Sequence, residues 1–72
     1  MLHLPTMDIK QKIGLRIKEL RGELGISQEA LGLKAEVDRT YVTDVENVRR
    51  NVAIEILEHL VKALEVSISE FF

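Results

Sequence analysis

Apolar residues in this 72-residue chain recur at intervals of three and four, and almost nowhere do they alternate with polar ones. Such spacing lines one side of an α-helix, which turns every ~3.6 residues, and it lacks the every-other-residue pattern of a half-buried strand. There is a single proline, no repeat and no low-complexity tract. The chain is therefore expected to be all-α, and a chain this short forms one domain with a small core.

Ile9, Ile13, Ile17, Leu20 and Leu24 form one stripe, with Asp8 ahead of it to cap and Gly25 after it, so a first helix is expected from about 8 to 24. Ser27 is another N-cap residue, and the short segment after it turns Ala30, Leu31 and Ala35 inward. Asp38 is a further one, with Val42 and Val45 on the buried side; the gap between these two short helices permits only a sharp turn. The stretch NVRRNVA has no periodicity and reads as a loop. Ile54, Leu57, Leu60, Val61 and Leu64 then form the apolar face of a fourth helix, and Ser67 caps a last turn, ISEFF. Five short helices in this order, the second and third joined tightly, suggest a helix-turn-helix bundle.

Composition excludes more than it selects. Without cysteine there is no disulfide framework and no thiol chemistry, a usage that suits a reducing cytoplasm. MLHLPTM has no basic n-region and only scattered leucines, so residues 1–7 read as a tail and not as a signal peptide, and the overall composition is not that of a membrane protein. His3 and His59 have no partners at ligand spacing, so no metal is expected. Ser27, His59 and the acids are not arranged as a nucleophile with a base; neither enzymatic activity nor a cofactor is expected.

The formal net charge is -2, which counts mildly against nucleic acid as a partner. Phosphate binding, however, depends on a local basic face and not on the sum. Nine Lys and Arg face eight Asp and Glu in residues 1 to 52, whereas residues 53 to 72 carry Lys62 against Glu55, Glu58, Glu65 and Glu70. In the first portion, VDRTYVTDVE gathers Arg, Thr and Tyr with three acids where a helix should begin. By composition alone this segment reads DNA, binds a partner protein, or is a solvated helix face.

From Gln28 to Asn47, QEALGLKAEVDRTYVTDVEN resembles the twenty-residue helix-turn-helix of lambda-type phage repressors and the wider Xre-like family. Leu31, Ala35, Val37, Val42 and Val45 stand where the interhelical core is filled, and small Gly32 where the helices approach. GISQEALG before the motif and VSISEFF after it extend the resemblance to about residues 9 to 72. Within the family, VDRTYVTDVENVRRN is most similar to the controller proteins of restriction-modification systems. The resemblance implies a compact five-helix domain over residues 8–72, with its motif at 28–47 and its recognition helix at about 38–46.

It also implies roles. A recognition helix enters the major groove with its N-terminal residues toward base edges. Arg39 and Thr40 stand there, and the Arg fork matches the O6 and N7 acceptors of guanine. Arg50 would reach base edges or backbone from the following loop, and Gln28, Tyr41, Thr43 and Arg49 are expected at phosphates, where contacts position and do not specify. The bland alternatives are a solvated Arg39, Arg49 and Arg50, a Tyr41 covering the core edge, and Thr40 and Thr43 as filler. Lys10, Lys12, Arg16 and Lys18 read mostly as a solvated face. Arg21 and Glu46 occupy positions at which lambda-type repressors pair the first and third helices, so a structural ion pair is expected.

Three residues depart from the family's habit. Glu36 stands where many relatives have Gly in the turn, and a positive φ is expected of it; Val48 replaces a Gly after the recognition helix, with Asn47 as an alternative left-handed cap. Asp44 puts an acid on the recognition helix, where it accepts from a cytosine amino group or points away.

Relatives of this kind bind double-stranded palindromic operators as two-fold dimers. The surface assigned to dimerisation is the C-terminal end, with Ile56, Ile68 and Phe72, while Phe71 closes the monomer core. The function implied is a cytoplasmic transcriptional regulator, with RNA polymerase a candidate further partner and no membrane. A phage-type repressor carries the same motif, and an antitoxin-like protein-binding module is the rival of a different class.

Overall fold

The computed structural model describes residues 8–72; the tail read over residues 1–7, His3 included, lies outside the described residues. Among them five helices follow one another: α1 Ile9–Leu24, α2 Gln28–Ala35, α3 Arg39–Glu46, α4 Ile54–Ala63 and α5 Ile68–Phe71. Short helices need their first N–H groups satisfied, and four side chains do this. Asp8 accepts from the Gln11 N–H at 2.9 Å while the Gln11 side chain accepts from the Asp8 N–H at 2.9 Å. Ser27 caps α2 at the Ala30 N–H (3.0 Å), and Asp38 caps α3 at the Thr40 N–H (2.7 Å). Ser67 and Glu70 form a second reciprocal cap on α5, and the Ser67 N–H holds the Glu70 carboxyl below its ordinary pKa.

Ile13, Ile17 and Leu20 of α1 meet Leu31 and Ala35 of α2, Val42 and Val45 of α3, Leu60, Val61 and Ala63 of α4, and Leu64 and Phe71 in one buried cluster. Helix α3 rests on α1 and α2, and α4 on α2. The α1–α3 approach depends on Gly14, since a Cβ there would lie 2.6 Å from the Val45 carbonyl oxygen. Gly32 faces both the turn and the start of α3: its Cβ would lie 2.6 Å from the Val37 carbonyl oxygen and 3.4 Å from the Arg39 backbone nitrogen, so it admits the turn folded back on α2 and the approach of α3.

The ends of the apolar stripes overrun the core. Ile9 (57% exposed) and Leu24 (39%) stand outside it, because a 16-residue α1 is about 24 Å long and the 8-residue α3 lying on it about 12 Å. Ala30 is also exposed. Ile54, expected on the buried face of α4, is 81% exposed: it opens the helix, and α4 is buried through its later turns at Leu60, Val61 and Ala63.

Three described residues other than glycine have positive φ: Glu36 at 60°, Val48 at 59° and Glu65 at 64°. Glu36 closes α2 in the left-handed region. After α3 the left-handed residue is Val48 and not Asn47, which has φ of -91°. Arg16, read as part of a solvated face, instead joins α1 to the end of α5. Its Nε donates to the Phe71 carbonyl and its Nη2 to the Glu70 carbonyl, both at 2.8 Å, and it pairs with Glu19. These carbonyls close α5 and have no intrahelical partners, so a guanidinium satisfies them.

Candidate nucleic-acid interface

Helix α3 is amphipathic in the direction a surface reader requires. Val42 and Val45 are buried, Tyr41, Thr43 and Asp44 are half-buried, and Arg39 and Thr40 are exposed in the first turn. Neither the Arg39 nor the Thr40 side chain bonds another described residue, so both project from a helix start fixed by the Asp38 cap.

Behind this face lies a part-buried polar network. The Arg21 guanidinium donates from Nε to Glu46 Oε2 at 2.8 Å, from Nη2 to Glu46 Oε1 at 3.0 Å and from Nη1 to the Ile26 carbonyl at 3.0 Å. Glu46 also accepts from Gln28 Nε2 at 3.1 Å, and the Thr43 hydroxyl donates to Gln28 Oε1 at 2.8 Å or to the Arg39 carbonyl at 3.1 Å. The bond to Glu46 raises the Arg21 pKa above its already high value. One chain of contacts thus links α1, the start of α2 and the last two turns of α3. Rotation of α3 would break a charged bidentate pair, so the network fixes the angle at which Arg39 and Thr40 are presented.

A second cluster flanks the helix. The Arg50 guanidinium carbon lies 4.4 Å from the Tyr41 ring centroid, and its Nη2 is 3.2 Å from Asp44 Oδ2. The Tyr41 hydroxyl accepts from the Ala53 N–H at 3.0 Å, leaving its own proton available to an acceptor outside. Arg49 is exposed, and its backbone N–H donates to the Asp44 carbonyl at 2.8 Å. Gln28 therefore belongs to the network and Tyr41 and Arg50 to the loop cluster, while Arg39 and Thr40 stand apart from both in the first turn of α3.

The residues assigned to a dimer surface are more scattered in burial. Ile68 (52%) and Phe72 (63%) are exposed, whereas Ile56 is half-buried against the monomer core. Phe71 is buried, and Phe72 meets it edge-on at 5.0 Å. Leu15, at 52% exposure, lines a groove beside Phe72 and adds apolar area that sequence reading did not assign. The Asp44–Arg50 contact was also missed: six residues apart and in different elements, the pair leaves no periodic signal.

The helix-turn-helix family matches residues 17–71. Control protein C.MunI of a Mycoplasma species is 39% identical over 66 residues, which is 90% of this chain and 89% of that protein. The restriction-modification controller protein C.AhdI from Aeromonas hydrophila superposes with a TM-score of 0.83 at 40% identity, over 88% of this chain and 96% of that one. C.Esp1396I, solved as a tetramer in complex with its natural 35 base-pair operator, superposes with a TM-score of 0.86 at 40% identity, over 93% and 88%. A family match across most of the length, joined by relatives this similar over nearly all of theirs, leaves one assignment: the chain belongs to the Xre-like helix-turn-helix family.

Proposed function

We propose that this protein is a sequence-specific DNA-binding transcriptional regulator of the restriction-modification controller kind, acting in the cytoplasm and binding palindromic operator DNA as a homodimer. The observation that carries the reading is the first turn of α3. Arg39 and Thr40 stand exposed there on a helix whose opposite side is buried and whose angle is locked by Arg21 and Glu46. A donor fork presented from a helix held in this way discriminates guanine from other bases by about 1 to 3 kcal/mol.

The flanking groups suit phosphate. The second amide proton of Gln28 and the hydroxyl proton of Tyr41 remain available, and Arg49 is an exposed cation. Thr43 has one proton, already given to Gln28 or to Arg39, so it orients Gln28 unless that bond is exchanged for one to DNA. Arg50 reads base edges from the loop. Ile68, Phe72 and the rim of Ile56 form the dimer surface, which places two α3 helices on half-sites about one helical turn apart. Relatives of this chain are control proteins, one of them solved on its operator, and none of those named is an enzyme. Occupancy order on paired sites sets activation or repression, and activation requires contact with RNA polymerase. No helix among the described residues is long and apolar enough to cross a membrane.

Selection of binding sites from random duplex DNA, at one fixed salt concentration, tests the reading. The parent should yield a two-fold symmetric consensus, and Arg39→Ala should lose preference at one base pair in each half-site. No enrichment even at low salt would leave the motif a scaffold and sink the proposal.

A further inference from the structure

We infer that Asp44 is a positioning residue for Arg50: it holds the guanidinium in a closed latch over Tyr41, and so sets how far the protein prefers its own site over other DNA. The inference rests on the DNA-binding reading above and adds to it a residue whose effect runs through another.

The latch is built from both sides. Val48, in the left-handed region, turns the chain back after α3, and the Arg49 N–H donates to the Asp44 carbonyl at 2.8 Å, bringing the loop against the helix. Arg50 then meets two attractions at once, the Asp44 carboxylate at 3.2 Å and the Tyr41 ring face at 4.4 Å. The far end of that ring is tied to the start of α4 through the Ala53 N–H. Arg50 is 44% exposed and Asp44 22%. Each attraction is small at such exposure, and together they favour the closed arrangement by about three- to tenfold.

That bias acts unequally on different DNA. To turn its whole fork to a base edge, Arg50 must leave both Asp44, which engages Nη2, and the Tyr41 ring. A phosphate at an arbitrary sequence offers it one charge in exchange for another, with no gain of geometry. A guanine edge in register offers two acceptors matched to the fork, so only the correct site offsets the opening. Closed, the latch withholds one cation from non-specific binding. A bare acid on a recognition helix would simply repel the duplex everywhere; an acid already neutralised by its neighbour acts on selectivity instead.

The test compares the duplex that the parent selects from a random pool with a scrambled duplex of equal length. Asp44→Asn is expected to lower the ratio of the two affinities about three- to tenfold, mainly by tightening binding to the scrambled duplex. The slope of log affinity against log salt on that duplex should steepen by about 0.9, the signature of one added phosphate contact. In an Arg50→Ala background the ratio should no longer respond to Asp44→Asn. A ratio unchanged while both affinities rise would mean plain repulsion and overturn the latch. So would a lost preference at one base pair that persists without Arg50, since Asp44 would then read a base itself.

The free protein supplies a readout independent of any DNA. Tyr41 is the only tyrosine and there is no tryptophan, so intrinsic emission reports on this ring alone. Asp44→Asn should shift that emission in the same direction as Arg50→Ala. An unchanged signal overturns the latch even if DNA binding is intact, whereas a shifted signal with no site selection would instead sink the regulator reading.

Discussion

Arg21 and Glu46, twenty-five residues apart in sequence, meet fork to fork across α1 and α3, and Glu46 is the more deeply buried, with its side chain 2% exposed against 17% for Arg21. Glu46 accepts three hydrogen bonds, two from Arg21 and one from Gln28. Glu46→Gln keeps the shape and removes the charge, leaving a partly buried guanidinium without its counter-ion. The expected loss is about 3 kcal/mol. For a domain of this length that corresponds to a fall in Tm of roughly 12 to 24 °C. Thermal unfolding followed by circular dichroism measures it, and an unchanged Tm would mean that the pair contributes nothing net.

Left-handed backbone gives predictions of opposite sign to most substitutions. Glu36→Gly should stabilise the fold by about 0.5 kcal/mol, because relief of ~1 kcal/mol of strain exceeds the added freedom of the unfolded chain. Val48→Gly should gain more, since a β-branched side chain fits φ of 59° poorly. Denaturant midpoints would show both. Destabilisation at either position would place the chain outside the left-handed region in solution.

Two glycines of α1 should respond to the same change in opposite ways. At Gly22 a Cβ meets nothing within 4 Å, so Gly22→Ala should add about 1 kcal/mol of helix propensity. At Gly14 the same gain is outweighed by the Val45 carbonyl at 2.6 Å, which cannot move without shifting α3; Gly14→Ala should lose about 1 to 2 kcal/mol net. Equal effects at the two sites would show that α1 and α3 do not approach so closely.

Arg16→Gln removes the guanidinium that holds the end of α5. Amide exchange at Phe71 and Phe72 should quicken, and global stability should fall by about 1 kcal/mol, limited by the partial exposure of the side chain. Exchange at the parent's rate would mean that Phe71 is held by its burial alone.

Five helices, and the starts of four of them, are legible in the sequence because caps and stripes are local; α4 opens on Ala53, which makes no side-chain cap. Asp8, Ser27, Asp38 and Ser67 each act on an N–H two or three residues ahead, and the spacing of Ile13, Ile17 and Leu20 repeats within a few turns. The interface was legible in part. Arg39 and Thr40 follow a cap and precede buried valines, a pattern that places them outward, but the company kept by Tyr41 and Arg50 depends on where a seven-residue loop returns.

A single segment thus settles helix or loop, where a capped helix begins, and which side of it is apolar in the middle. Where segments meet is settled only by the packed fold. Arg16 closes a helix 55 residues away, Gly14 is read by a carbonyl of α3, Asp44 faces Arg50, and Ile54 lies outside a core that its spacing pointed into. The reason is geometric. Periodicity gives a helix its apolar direction, but crossing angles and unequal helix lengths determine how much of that face finds a partner.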